Sequence, residues 1–233
     1  MQDVNLLALE TSSHRISVAV WADGCVHQRL EERSGGGSDS VLPWVTELLR
    51  EAGLELGALD LVAYGAGPGG FVGLRLACAI AQGLALGRGI QTLGVSDLEA
   101  VAAASGEAAV YACLDARMGE VYAAAYRNGE NGPVEVLAPS VHAPQAVPLP
   151  PEGKWVGAGD GFRAHGEALR RSLGGALDAV RLDVHPTAAT LAHIAAMRFA
   201  AGRAEDAAAA LPIYVRNSVA LTTAERLARG GRR

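Results

Sequence analysis

The chain has 233 residues, half of them apolar, and a formal net charge of −5. That length carries one large domain or two small ones around a real core, and the acidic balance argues against a free-standing nucleic-acid binder, which presents a basic face. The longest apolar run, Leu74 to Gly87, contains Arg75 and Gln82; it falls short of the roughly 20 residues that cross a bilayer, so a soluble, cytoplasmic protein is expected.

Val4 to Glu10 (VNLLALE) is an apolar run that reads as a buried strand. It starts almost at Met1, so no signal peptide is expected. Ile16 to Trp21 and Cys25 to Glu32 read as two more strands around the turn Ala22-Asp23-Gly24. Ser34 to Ser40 reads as a flexible loop ending in capping residues. A helix follows from about Val41 to Ala52, stopped by Gly53. Leu59 to Tyr64 is a strand that runs into the glycine-rich segment Gly65 to Gly73. A second helix covers about Leu74 to Leu86, Ile90 to Gly94 is a strand, and Ser96 caps a helix to about Ala104.

A second round begins near Glu107. Ala109 to Asp115, Glu120 to Tyr126 and Val134 to Leu137 read as strands, and Ser140 to Pro151 as an irregular proline-rich stretch. Trp155 to Ala158 is a short strand, Phe162 to Leu173 a helix, and Pro186 opens a helix to about Ala201. This is an α/β pattern. Two rounds of a meander followed by alternating elements resemble the two-lobed actin-like ATPase and sugar-kinase (ASKHA) fold, with a reduced second lobe. The expected lobes are 1–106 and 107–233, with about 212–233 packing back on the first.

Cys25, Cys78 and Cys113 are scattered and odd in number, which argues against a disulfide scaffold or a zinc site. The six histidines include no pair four apart, so a helical HxxxH metal pair is absent and no metal is expected. The basic tail Arg226, Arg229, Arg232 and Arg233 reads as a solvated terminus.

Three segments are candidates for chemistry. Glu10, Thr11, Ser12 and Ser13 sit where the first strand turns back. With Gly67, Gly69 and Gly70 they form a candidate residual nucleotide or anion site, against the plainer reading that the hydroxyls bond their own turn. The glycine segment leads from a strand into a helix and can aim N–H groups at an anion. It lacks the Gly-Lys-Ser/Thr of a Walker loop, and its glycines serve equally for a tight turn and close helix packing. Asp115, Arg117, Gly119 and Glu120 read as a hairpin turn flanked by an ion pair, or as a site where Arg117 reaches a partner or a cleft between lobes.

The segment GAGPGGFVGLR from Gly65 to Arg75 resembles the GxGPGSFTGxRxG motif of the TsaB (YeaZ) family and of its catalytic relative TsaD. LLALETSSHRISVAVW, VLPWV, AQGLALG with GVSDLEA, LDARMGEVY from Leu114 to Tyr122, and PIYVRN from Pro212 to Asn217 agree with it. Gly70 and Val72 stand where the family has Ser and Thr, Glu10 where Asp is common, and Gly37-Ser38 where many members have His. The resemblance implies a non-catalytic subunit of tRNA N6-threonylcarbamoyladenosine synthesis. It would pair with a TsaD-type transferase, or with itself when that is absent, and a TsaE-type ATPase would join. It implies tRNA contact only through the complex and no cofactor of its own, with any ATP or ADP at the joint held mainly by the partner. An ATP-binding phosphotransferase or ATPase on the same fold, and a glycoprotease-like metallohydrolase, are the alternatives.

The first helix carries a wide apolar arc: Val41, Val45, Leu48 and Ala52, flanked by Leu42, Leu49 and Trp44. The second helix is apolar nearly all round, with small residues Gly73, Ala77, Ala81 and Ala85 every four positions, and with Leu74 and Cys78 beside them. Arg75 and Gln82 share another face of it. These helices are the expected docking surface, against the alternative that both are buried within this chain.

Overall fold

A computed structural model describes residues 4–32 and 38–216 of the chain. It holds two five-stranded sheets. The first has β1 (Leu6–Glu10), β2 (Arg15–Ala22), β3 (Cys25–Glu32), β4 (Leu61–Gly67) and β5 (Gln91–Ser96), in the order β3-β2-β1-β4-β5. The second has β6 (Ala109–Arg117), β7 (Glu120–Gly129), β8 (Gly132–His142), β9 (Trp155–Ala158) and β10 (Leu177–Arg181), in the order β10-β9-β6-β7-β8. Five helices cover them: α1 (Ser38–Glu51), α2 (Phe71–Leu86), α3 (Asp97–Ala104), α4 (Gly161–Leu173) and α5 (Ala188–Ala200).

Strand periodicity sorts the first core into two layers. β1 lies between antiparallel β2 and parallel β4, and all five of its residues are buried. A strand covered on both faces reads as an unbroken apolar run. Leu7, Leu9, Val18, Val20, Val62 and Tyr64 face one way, onto α1 and α2. Leu6, Ala8, Ala19, Trp21, Leu61 and Ala63 face the other, onto α5. This is the period of two expected of pleated strands. β3 forms the edge and carries Arg29, Glu31 and Glu32 outward, which blunts it against further pairing.

The second sheet repeats the arrangement with its own helices. Tyr111, Cys113, Val121 and Ala123 pack on Phe162 and Leu169 of α4. Val110, Ala112, Leu114 and Tyr126 pack on Leu98 and Val101 of α3. Thus α3, which precedes the second sheet in the chain, packs against it, while α5, which follows it, returns to the first sheet.

The final described residues also return to the first sheet. Glu205 bridges Thr92, Gln82 Nε2 donates to the Ala210 carbonyl at 2.9 Å, and Ile213 N–H donates to Ala66 O at 2.7 Å. Asn217 and the terminal arginines lie outside the described residues, as do residues 34–37 of the expected flexible loop; Ser38 to Ser40 are already helical.

The expected docking stripes require correction. Val41, Val45, Leu48 and Leu49 are buried in this chain's own core, as are Leu74, Ala77, Cys78 and Ala81. The physical reason is that α1 and α2 lie side by side on one face of the sheet, and residues 54–59 and 207–210 pack against their flanks. Gly73 lies against the β1–β2 turn. Arg75 is exposed and donates to the Tyr214 hydroxyl, and the half-buried Gln82 donates to Ala210, so both already hold a partner within this chain. Leu42 remains exposed.

Two elements differ from the sequence-based expectation. β8 runs through Pro139 to His142, which an edge strand tolerates because the missing N–H need not serve a neighbour. β10 was not expected; it is a short edge strand whose Asp178, Ala179 and Arg181 are exposed, so it carries little apolar signal.

Candidate functional site

A cleft of about 650 Å³ opens between the two sheets. Its floor is the β1–β2 turn, Thr11 to His14, and the glycine segment up to Leu74. Leu114 to Arg117, Tyr122 and Asp160 form the opposite wall, and Ile213 to Arg216 cross one side.

The glycine segment is clamped onto the turn. Gly70 N–H donates to Ser12 O at 2.8 Å, and Thr11 Oγ1 donates to Gly73 O at 2.6 Å. A Cβ on Gly73 would sit 2.7 Å from the Thr11 carbonyl carbon and closer still to its oxygen. A Cβ on Gly69 would lie 2.6 Å from Ser12 Oγ. Gly73 therefore permits close approach of backbone to backbone, and Gly69 that of backbone to the Ser12 side chain.

Beneath the clamp, Glu10 and Asp97 face each other with no exposure to solvent. Ser12 Oγ lies 2.7 Å from Glu10 Oε1 and 2.6 Å from Asp97 Oδ2, and Ser12 N–H donates to Glu10 Oε1 at 2.7 Å. Burial raises the pKa of both carboxyls, and the Glu10 charge raises Asp97 further.

The cleft wall carries a second polar set. Asp115 N–H donates to Asp160 Oδ1 at 3.0 Å, and burial pushes the Asp160 carboxyl up. His14 Nδ1 lies 3.8 Å from Asp160, and His165 Nε2 lies 3.6 Å from Asp115. Each imidazole faces a carboxylate, not a hydroxyl or thiol, so the set lacks the nucleophile–base pairing of covalent catalysis. Among the described residues no group of three or more His, Cys, Asp or Glu side chains is arranged to hold a metal ion.

Arg117 pairs with Asp115 at 3.1 Å and sits in a left-handed turn with Met118 and Gly119. Both readings of this motif thus meet at one place: a hairpin with its ion pair, and an arginine on the cleft rim. Arg216 is the cross-tie, pairing with Glu120 and donating to Ala116 O at 3.1 Å.

The chain is 36% identical over 227 residues to the tRNA threonylcarbamoyladenosine biosynthesis protein TsaB of Escherichia coli, covering 93% of this chain and 96% of that protein. It belongs to the TsaB family. The Haemophilus influenzae TsaB is 32% identical, with 94% and 96% covered. A family model described as TsaD, tRNA N6-adenosine threonylcarbamoyltransferase, matches residues 34–231. The structure of YeaZ from Pseudomonas aeruginosa superposes with a TM-score of 0.84 at 34% identity, covering 91% of this chain and 99% of that one.

In this TsaB-family chain, Thr11, Ser12, Gly69 and Gly70 lie together on the cleft floor with Glu10 bonded beneath Ser12, while Gly67 lies against Leu74 and Ile213. Sequence reasoning missed Asp97, read only as a residue after a helix cap, and it missed the cleft groups Asp160, His14 and His165. Nothing in their spacing announces them, because they converge from the β1–β2 turn, from α3, and from the segment between β9 and α4 with the first turn of that helix. No described helix is long and apolar enough to cross a membrane.

Proposed function

We propose that this chain is the non-catalytic scaffold subunit of tRNA threonylcarbamoyladenosine synthesis, docking on a TsaD-type transferase and stabilising one conformation of it. The observation that carries this reading is the outward face of α2. Val72, Ala79, Gly83 and Leu86 share one exposed face, and Val72 and Leu86 are 78% and 57% exposed. A helix apolar on both its buried and its outward side offers surface to another helix.

Leu42 extends the apolar surface across a groove lined by Leu49, Leu54, Leu56 and Leu84. The docking residues on this reading are Leu42, Val72, Ala79, Gly83 and Leu86, not the buried stripe. In the absence of the transferase the same face pairs two copies of this chain. A TsaE-type ATPase joins the complex, tRNA is met only through it, and a nucleotide at the joint is held mainly by the partner. The glycine segment bonded onto the β1–β2 turn, and cleft imidazoles that among the described residues face carboxylates, support a role without chemistry of its own.

Gly83→Arg tests the placement. A Cβ there meets nothing within 4 Å, and arginine favours a helix over glycine. The variant should keep its far-ultraviolet circular dichroism and a melting temperature no lower than the native one, yet fail to co-elute with a co-expressed TsaD-type partner. Normal co-elution refutes the interface. Calorimetry of the lone chain with ATP tests the absence of chemistry, and micromolar binding would restore the phosphotransferase reading.

A further inference from the structure

Glu10, at the end of β1, and Asp97, at the start of α3, meet beneath the glycine segment with neither exposed. The hydroxyl of Ser12 lies within hydrogen-bond distance of both carboxyls, at 2.7 and 2.6 Å. A hydroxyl carries one hydrogen and can donate only one of these bonds. In the other contact the hydroxyl oxygen must accept, and the donor can only be a carboxyl O–H. The remaining oxygens, Glu10 Oε2 and Asp97 Oδ1, are buried without a partner. Both converge on Gly65, where a Cβ would stand 2.7 Å from Asp97 Oδ1 and closer still to Glu10 Oε2.

We propose that Glu10 and Asp97 retain at least one proton between them at neutral pH, and that this proton latches the glycine segment and the start of α3 to the β1–β2 turn.

The surroundings support the count. No basic side chain acts on either carboxyl; burial raises both, and Glu10 raises Asp97 further. The polar groups of the turn beside them are the hydroxyl and N–H of Ser12 and the N–H of Ser13. The ionisable groups on the same elements are engaged elsewhere: His14 lies beside Asp160, Glu99 pairs with Arg198, and Arg75 donates to Tyr214. Two unprotonated carboxylates here would face each other in a dry site with one hydroxyl hydrogen between them, an arrangement that a buried pair relieves by binding a proton.

The latch joins three parts. Glu10 belongs to the first sheet, Ser12 and the glycine segment form the cleft floor, and Asp97 opens the helix that packs on the second sheet. Losing the proton separates these parts, so the device ties cleft shape to pH. The direction follows from linkage. A carboxyl whose folded pKa is raised keeps its proton where the unfolded chain has lost it. The stability it contributes is full below the unfolded value near 4 and is lost as pH rises through the folded value.

The test compares the whole chain with Asp97→Asn and Glu10→Gln, whose amides carry N–H groups where the acid needs a borrowed proton. In infrared spectra at pH 7 the native chain should show a protonated-carboxyl C=O band that either variant lacks. In urea unfolding from pH 5 to 9, the native unfolding constant should rise about tenfold per pH unit relative to Asp97→Asn, one proton being taken up on folding. A spectrum without that band at pH 7 overturns the proposal, even if both variants fail to fold. A native-to-variant ratio that is flat across the range also overturns it, as does stability that rises with added magnesium in place of the band, which would mean that a cation neutralises the pair.

Discussion

Gly73→Ala sets two effects of opposite sign against each other. Gly73 is the third residue of α2, and in an exposed helix the exchange for alanine gains about 1 kcal/mol. Here the new methyl would stand 2.7 Å from the Thr11 carbonyl carbon and 2.9 Å from Ser12 Cα, closer than real Cβ contacts come. Those are backbone atoms and cannot rotate away. The start of α2 must lift from the turn, which loosens Thr11 Oγ1 to Gly73 O and Gly70 N to Ser12 O. Overpacking costs about 1–3 kcal/mol and each weakened bond about 0.5–1.5. After the propensity gain, a net loss of about 1–5 kcal/mol remains, with its middle at about 3. With m near ~3 kcal/mol/M, the urea midpoint should fall by about 1 M. Gly83→Ala, where a Cβ meets nothing within 4 Å, is the control and should raise the midpoint by about 0.3 M. A Gly73→Ala midpoint at or above the native one would refute the idea that close approach explains this glycine.

The other predictions concern the cross-tie and the acid side of the pH profile. Arg216→Ala removes the pairing with Glu120 and the bond to Ala116 O, and should cost about 1–3 kcal/mol. Hydrogen exchange should quicken first at the β6–β7 turn, and uniform acceleration over the whole chain would count against a local tie. His185 is buried, and burial together with nearby Arg15 and His14 lowers its pKa to about 4. Its unfolded form gains a proton near pH 6.5 while the folded form does not, so this share of stability is lost as pH falls from about 6.5 toward about 4. His185→Gln should flatten that slope in urea titrations, and an unchanged slope would assign it to another group.

Most of the fold was legible because burial and periodicity coincide in it. Val4 to Glu10 reads as a buried apolar run, and β1 within it is covered on both faces. The glycines of 65–73 announced a tight junction, but not what lay across it. Asp97 comes 87 residues after Glu10 in the chain, and only the folded sheet brings them together. β10 was illegible because an edge strand with exposed Asp178 and Arg181 has too little apolar content to stand out. The burial of the expected docking stripe was illegible for a different reason. A wide apolar arc marks a helix with neighbours on several sides, and the letters do not say whether those belong to the same chain. Val41, Val45 and Leu48 are covered by the chain itself, whereas the outward residues of α2 needed coordinates to be told from its inward ones.

The crossed placement of α3 and α5 has a consequence for dissection. Cutting the chain near residue 106 would strip α5, with Leu191 and Ile194, from Leu6, Ala8 and Trp21, and would deprive Val110, Ala112 and Leu114 of Leu98 and Val101. Each fragment would show water a bare apolar wall. The two halves are clasped like folded hands, so neither can be removed without unseating the other.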